Sequence, residues 1–193
     1  MSNNQIIQNE IKKSIELLKL VEDTLTDKIS EAANAIVISL KNGGKCMFFG
    51  NGGSAADSQH LAAEFMCRFK QTRKALAALA LTTDSSFLTA FSNDFFYEDI
   101  FARQVEGLGK PIDIAFGITT SGSSENVIKG LEKAYSMGMK TVALLGANGE
   151  AIKNIVNYPI IVPSTDTPHV QECHIAIGHI LCDIIEQRMF GEK

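Results

Sequence analysis

Five short apolar runs, at 46–49, 77–81, 112–117, 141–145 and 160–162, are separated mostly by stretches of helical periodicity. Each run is nearly continuous rather than alternating, as expected of strands covered on both faces. Strands alternating with helices, joined by right-handed crossovers, predict an α/β fold: a three-layer α/β/α sandwich around a doubly wound five-stranded parallel sheet. The 193 residues suffice for one domain that buries about 70% of its unfolded surface. Residues 1–42 are expected to form an N-terminal helical pair for packing and oligomerisation, and residues 43–193 the α/β body.

In the N-terminal part, Ile7, Ile11, Ser14, Leu18, Val21 and Leu25 follow 4-3-4-3-4 spacing, close to a coiled-coil seam that needs a partner. Ile29, Ala33, Ile36, Val37 and Leu40 mark a second amphipathic helix, stopped by Asn42-Gly43-Gly44. The last helix is expected to start with Thr167 as N-cap and Pro168 at the first position. It carries Val170, Ile177, Leu181 and Ile184 on one side, with Ile175, Cys182, Ile185 and Met189 extending around it. So wide a girdle cannot all face one domain, which points to a homo-oligomer.

Composition excludes several functions. A net charge of −4 with scattered Lys and Arg offers no basic stripe for a phosphate backbone, so no nucleic-acid partner is expected. No apolar run approaches the ~20 residues that span a bilayer, and MSNNQ lacks a secretory pattern, so a cytoplasmic protein without a membrane partner is expected. Cys46, Cys67, Cys173 and Cys182 are widely spaced and read as reduced packing thiols.

Ligands of such sheets bind beyond the carboxyl ends of the strands, so the turns there are informative. Gly50-Asn51-Gly52-Gly53-Ser54 lets backbone N–H groups approach an oxygen-rich ligand at the start of a helix. After the third strand, Thr119, Thr120, Ser121, Ser123 and Ser124 crowd another helix N-terminus. One N-cap needs only one hydroxyl, and the others suit a phosphate monoester. Gly50-x-Gly52-x-x-Ala55 formally matches a dinucleotide fingerprint, but the acidic residue due about 20 positions on is missing, Asp84 lying 34 beyond Gly50. No nucleotide cofactor is expected.

On the helix after the first turn, Asp57, His60 and Glu64 form a polar stripe, while Leu61, Ala62, Phe65, Met66 and Phe69 form the core stripe. The last helix carries Gln171, Glu172, His174 and His179. At about 100° per residue, Gln171 and His179 point about 80° apart and share a centre only if it lies between them.

Taken together, Gly50 through Glu64, Asn93-Asp94, Ser121 through Val127 and Gln171-Glu172-x-His174 through His179 closely resemble the phosphoheptose isomerases of the sugar isomerase (SIS) domain superfamily. The resemblance covers nearly the whole chain. It implies aldose–ketose isomerisation of sedoheptulose 7-phosphate to D-glycero-D-manno-heptose 7-phosphate, the entry to heptose for lipopolysaccharide, capsule or related glycans. It further implies a homotetramer with active sites between subunits, and one zinc ion per subunit. Carried onto matching positions, Asn51, Gly52, Gly53, Asn93 and Asp94 meet the sugar, and Thr119, Thr120, Ser121 and Ser124 hold the phosphate. Glu64 is the base, His179 the acid, and Gln171 a substrate contact; His60, Glu64, Gln171 and His179 are the metal ligands. The family commonly has Arg where His169 stands and Pro where Ala77 stands. A noncatalytic SIS relative that associates with a replication initiator shares the glycine turn but lacks the acid/base pair, and Glu64 with His179 argues against that role. A nicotinamide dehydrogenase is the remaining alternative.

Overall fold

The structure, a computed structural model, describes residues 1–191, without the side chains of Glu150 and Ala151. The chain opens with one 39-residue helix, α1 (Asn3–Lys41), in place of the expected pair. Thr26-Asp27-Lys28 contains no breaker, and the apolar positions Leu25, Ile29, Ala33, Ile36 and Leu40, at 4-4-3-4 spacing, stay on the same face of one straight helix although the heptad register slips by a residue. Ser2 and Gln5 close a reciprocal capping box at its start. From Val21 onward the helix buries its stripe in the domain, whereas Ile7, Ile11, Ile15 and Leu18 stay exposed.

The body follows in the order β1 (Cys46–Gly50), α2 (Gly53–Met66), β2 (Ala78–Ala80), α3 (Ser85–Asp94), α4 (Ile100–Leu108), β3 (Ile114–Thr119), α5 (Glu125–Ser136), β4 (Lys140–Leu145), β5 (Tyr158–Ile161) and α6 (Thr167–Phe190). Short 3₁₀ segments at Tyr97–Asp99 and Ala147–Ile155 lie between. All four strand pairings are parallel, in the order β2-β1-β3-β4-β5, with Phe48 opposite Phe116 and Phe116 opposite Val142. The five expected strands are present, with ends shifted by one or two residues, as fraying ends normally are.

Side chains alternate across the sheet and divide the core in two. Cys46, Phe48, Ile114, Phe116, Val142 and Leu144 pack with α1, α2 and α6. Met47, Phe49, Ala115, Ala143 and Leu145 pack with α4 and α5. Two departures concern helix ends. Asp166 is the N-cap of α6, so Thr167 and Pro168 are its first two residues, and α2 stops at Met66, which leaves Phe69 beyond it. Cys46, Cys173 and Cys182 are buried and Cys67 exposed, all four as free thiols. Burial pushes the Cys173 thiol up to about 11 and Cys182 to about 12, which fits packing rather than reactivity. No helix among the described residues is long and apolar enough to cross a membrane.

Candidate active site

The strand order reverses direction between β1 and β3, and in such sheets the two turns leaving those strands diverge to form a crevice. Asn51 leaves β1 and meets Asn126 of α5 in a reciprocal amide pair, each Nδ2 donating to the other's Oδ1 at 2.8 Å. Tyr97 adds a third bond, its hydroxyl donating to Asn51 Oδ1 at 3.1 Å. The two expected cradles are therefore tied together across the crevice. Gly52 takes a φ of 55°, in the left-handed region that glycine tolerates, and α2 begins at Gly53. A Cβ on Gly53 would collide with the side-chain amide of Gln171.

At the β3 turn the hydroxyls bond one another. Thr119 Oγ1 lies 2.9 Å from Ser124 Oγ and 3.2 Å from Ser121 Oγ, and the Ser123 N–H and hydroxyl both donate to Ser121 Oγ at 3.2 Å. Ser124 is the N-cap of α5, yet its side chain makes no capping bond. Not even one hydroxyl is spent on capping, and the cluster faces the helix dipole with its donors free to reorient towards an anion. Thr120 is half-buried in the same turn.

On α2 the polar stripe places His60 beside Glu64, with Nε2 to Oε1 at 3.6 Å. From α6, His179 approaches so that the Nε2 atoms of the two imidazoles stand 2.8 Å apart, across 119 residues of sequence. One ring donates and the other accepts, so the pair holds complementary tautomers. Phe69 stacks on His179 with centroids 5.7 Å apart and 27° between planes. Gln171 turns elsewhere: its Nε2 donates to Asp57 at 3.3 Å, against Gly53. Burial raises the Asp57 carboxyl above its ordinary range, while the Gln171 bond and the charge of His60 pull it back. A groove of about 320 Å³ opens beside this pair, lined by Asp57, Pro168, Gln171, Glu172 and Ile175.

The residues named from sequence thus fall into three groups: Asn51, Gly52, Gly53 and Gln171 at the first turn, the Thr119–Ser124 hydroxyls at the second, and His60, Glu64 and His179 between α2 and α6. Asn93 and Asp94 stand exposed at the end of α3, where Asn93 donates to Asp94. Asp84 caps α3 by accepting from the Phe87 N–H, so it serves the helix rather than a ribose. Sequence reading does not single out Tyr97 and places Phe69 only in the core stripe, since neither sits in a local pattern with its partner.

For a metal, the donors are of suitable kind. His60 and His179 converge through Nε2 with a carboxylate alongside, a nitrogen and oxygen set that zinc accepts. Their 2.8 Å separation is shorter than the roughly 3.3 Å between nitrogens on a tetrahedral zinc, so the rings would open by a few tenths of an ångström. Among the described residues, no three His, Cys, Asp or Glu side chains are grouped as a metal site.

Comparison with known proteins bears on the whole chain. The SIS domain profile matches residues 11–146. The phosphoheptose isomerase of Aquifex aeolicus is 49% identical over 181 residues, spanning 94% of this chain and 95% of that protein. That of Clostridium acetobutylicum is 49% identical over 189 residues, spanning 97% and 96%. The solved phosphoheptose isomerase of Francisella tularensis superposes with a TM-score of 0.93 at 39% identity, covering 97% of this chain and all of that one. The Neisseria gonorrhoeae enzyme gives 0.91 at 37%, covering 96% and 100%. These relatives do not favour the noncatalytic reading. With this sheet order and near full-length identity to several such enzymes, the chain belongs to the phosphoheptose isomerase family of SIS-domain proteins.

Proposed function

We propose that this isomerase converts sedoheptulose 7-phosphate to D-glycero-D-manno-heptose 7-phosphate through a cis-enediol. The observation that carries the reading is the approach of His179 to the His60–Glu64 pair from a segment distant in sequence. Glu64 takes the C1 proton of the open-chain ketose and returns it at C2. His179 moves a proton between O1 and O2, so the carbonyl shifts from C2 to C1 with atoms conserved. Each proton transfer of this kind contributes roughly 10²- to 10⁴-fold. Asn51, Gly52, Gly53, Asn93, Asp94 and Gln171 orient the sugar, and Thr119, Thr120, Ser121 and Ser124 hold the phosphate. If held by His60, Glu64 and His179, with Gln171 swung from Asp57 to join them, zinc would withdraw electron density from the carbonyl. A carboxylate beside a dication loses basicity, so zinc held there would lower the proton affinity of Glu64, the base.

We further assign a homo-oligomer, a tetramer by analogy with the family, whose subunits complete one another's sites. The single chain supports this with an open site, the His60 side chain being 46% exposed. An apolar groove of about 370 Å³ between α1 and α6, lined by Leu18, Val21, Ile29, Ile177, Ile180 and Ile184, offers the surface. The product would feed heptose synthesis for surface glycans in the cytoplasm.

The test is incubation of purified protein with sedoheptulose 7-phosphate in deuterated water, with added zinc and separately with chelator. The expected result is the aldose phosphate with solvent deuterium at C2, formed faster with zinc. Glu64→Gln is expected to lower kcat by about 10²- to 10⁴-fold while calorimetry still detects binding. No aldose under either condition, or full turnover by Glu64→Gln, refutes the scheme.

A further inference from the structure

Within the apolar surface of α6 lies one fully buried charge. Glu186, two turns beyond His179 and on the same side of the helix, is 1% exposed. Its carboxylate accepts four hydrogen bonds: from the N–H groups of Phe69 at 3.2 Å, Lys70 at 2.8 Å and Gln71 at 2.8 Å, and from Arg73 Nε at 2.9 Å. Burial alone would raise this carboxyl, and the three backbone donors with the guanidinium overcome that and hold it below its ordinary range. Burying a carboxylate is costly even when it is fully bonded, and an apolar side chain of similar size would fill the place without that cost.

Both segments it holds lead to the site. Phe69 lays its ring on the His179 imidazole, 5.7 Å between centroids. Arg73, whose side chain is 3% exposed, donates from Nη2 to the carbonyl oxygen of Glu64 at 2.8 Å and from Nη1 to that of Phe65 at 2.7 Å. These carbonyls belong to the last turn of α2, where acceptors lack intrahelical partners and a cation is favoured; the Phe65 oxygen also accepts from the Leu76 N–H at 3.0 Å. One carboxylate therefore fixes the ring that stacks on His179 and the guanidinium that grips the backbone of Glu64.

We propose that Glu186 is a positioning residue for the reaction, setting the plane of the His179 imidazole through Phe69 and the placement of Glu64 through Arg73. This rests on the roles given to His179 and Glu64 above. A staple that merely joined α2 to α6 would affect stability without moving the imidazole or selecting kcat over KM.

The experiment uses the full-length protein with ¹³C-labelled histidine, which carries four His residues to resolve by NMR. In Phe69→Leu, loss of the stacked ring is expected to move the His179 ring-proton resonances downfield and to lower kcat about 10-fold or more, with KM changed less than about threefold. Phe69→Tyr is expected to restore both. Glu186→Gln is expected to displace the same resonances although Phe69 is intact, and adding Phe69→Leu to it should lower kcat little further. If Glu186→Gln does not accumulate as folded protein, the Phe69 pair decides. Unmoved His179 resonances in Phe69→Leu or in folded Glu186→Gln, equal kcat losses in the Leu and Tyr variants, or a loss carried by KM would overturn the inference. A wild-type protein that fails to turn over sedoheptulose 7-phosphate would sink the functional reading instead, leaving the NMR outcome in force.

Discussion

Acidification from pH 7.5 to 4.5 is expected to remove about 2 to 3 kcal/mol of folding free energy through one side chain, His174. It lies on α6 with no exposed surface, and neither ring nitrogen finds a hydrogen-bond partner. Burial lowers its pKa from 6.5 to about 4, and the nearby Leu145 carbonyl opposes this only weakly. The folded state thus favours the neutral ring. The associated stability is fully present above the unfolded value near 6.5 and is lost as pH falls towards the folded value near 4. A separation of about 2.5 pK units corresponds to about 3 kcal/mol when the loss is complete.

The window from about pH 6.5 to 5 belongs mainly to histidine, because most carboxylates titrate below it. His169 acts with the opposite sign and mainly above that window. Its pKa is raised, first by the bond to Glu172 and then by that to Glu10, so its contribution is present below the unfolded value and fades as pH rises through the folded one. Subtracting the two requires a variant. His174→Leu removes both the titration and the unpaired nitrogens, and should lie within about 1 kcal/mol of wild type at pH 7.5. Urea unfolding followed by circular dichroism at fixed protein concentration, in steps of one pH unit, measures the difference. By pH 4.5 the variant should have gained about 2 to 3 kcal/mol on wild type. Parallel curves for the two proteins would refute the burial argument.

Further outcomes test the other elements. Gly53→Ala places a methyl group against Gln171, whose flexible side chain can move away, so stability should change by less than about 1 kcal/mol while turnover falls about 10-fold. Unchanged turnover would remove Gln171 from the site. Ile180→Asp puts a carboxylate on an exposed position of the α1–α6 groove; sedimentation should show smaller species, with activity falling in step. The His169 contacts to Ser14 and Glu10 tie the start of α6 to α1. The protection of amides in the turns of α1 around Glu10 and Ser14, measured relative to intrinsic base-catalysed exchange, should therefore fall as pH rises from 6 to 9, and His169→Gln should abolish that fall.

What could be read in the sequence was whatever repeats at short range. Buried strands announce themselves as unbroken apolar runs, and Gly52 and the hydroxyls from Thr119 to Ser124 stand out because a plain turn or cap needs fewer such residues. The sequence suggests two helices where α1 is one because a helix leaving its domain changes from exposed to buried along a single apolar face, and burial is not written in spacing. Phe69 was assigned to the α2 stripe by periodicity, yet α2 ends at Met66 and the ring instead covers His179. The long-range partners had no local signal at all. Arg73 and Glu186 lie 113 residues apart, each looking like an ordinary surface charge on its own segment. His179 likewise was one more polar residue on an apolar helix until a resemblance singled it out. Contacts that arise only when α2 and α6 meet depend on the path of the whole chain, and for that reason the candidate residues at the turns stand out in the sequence while their supports do not.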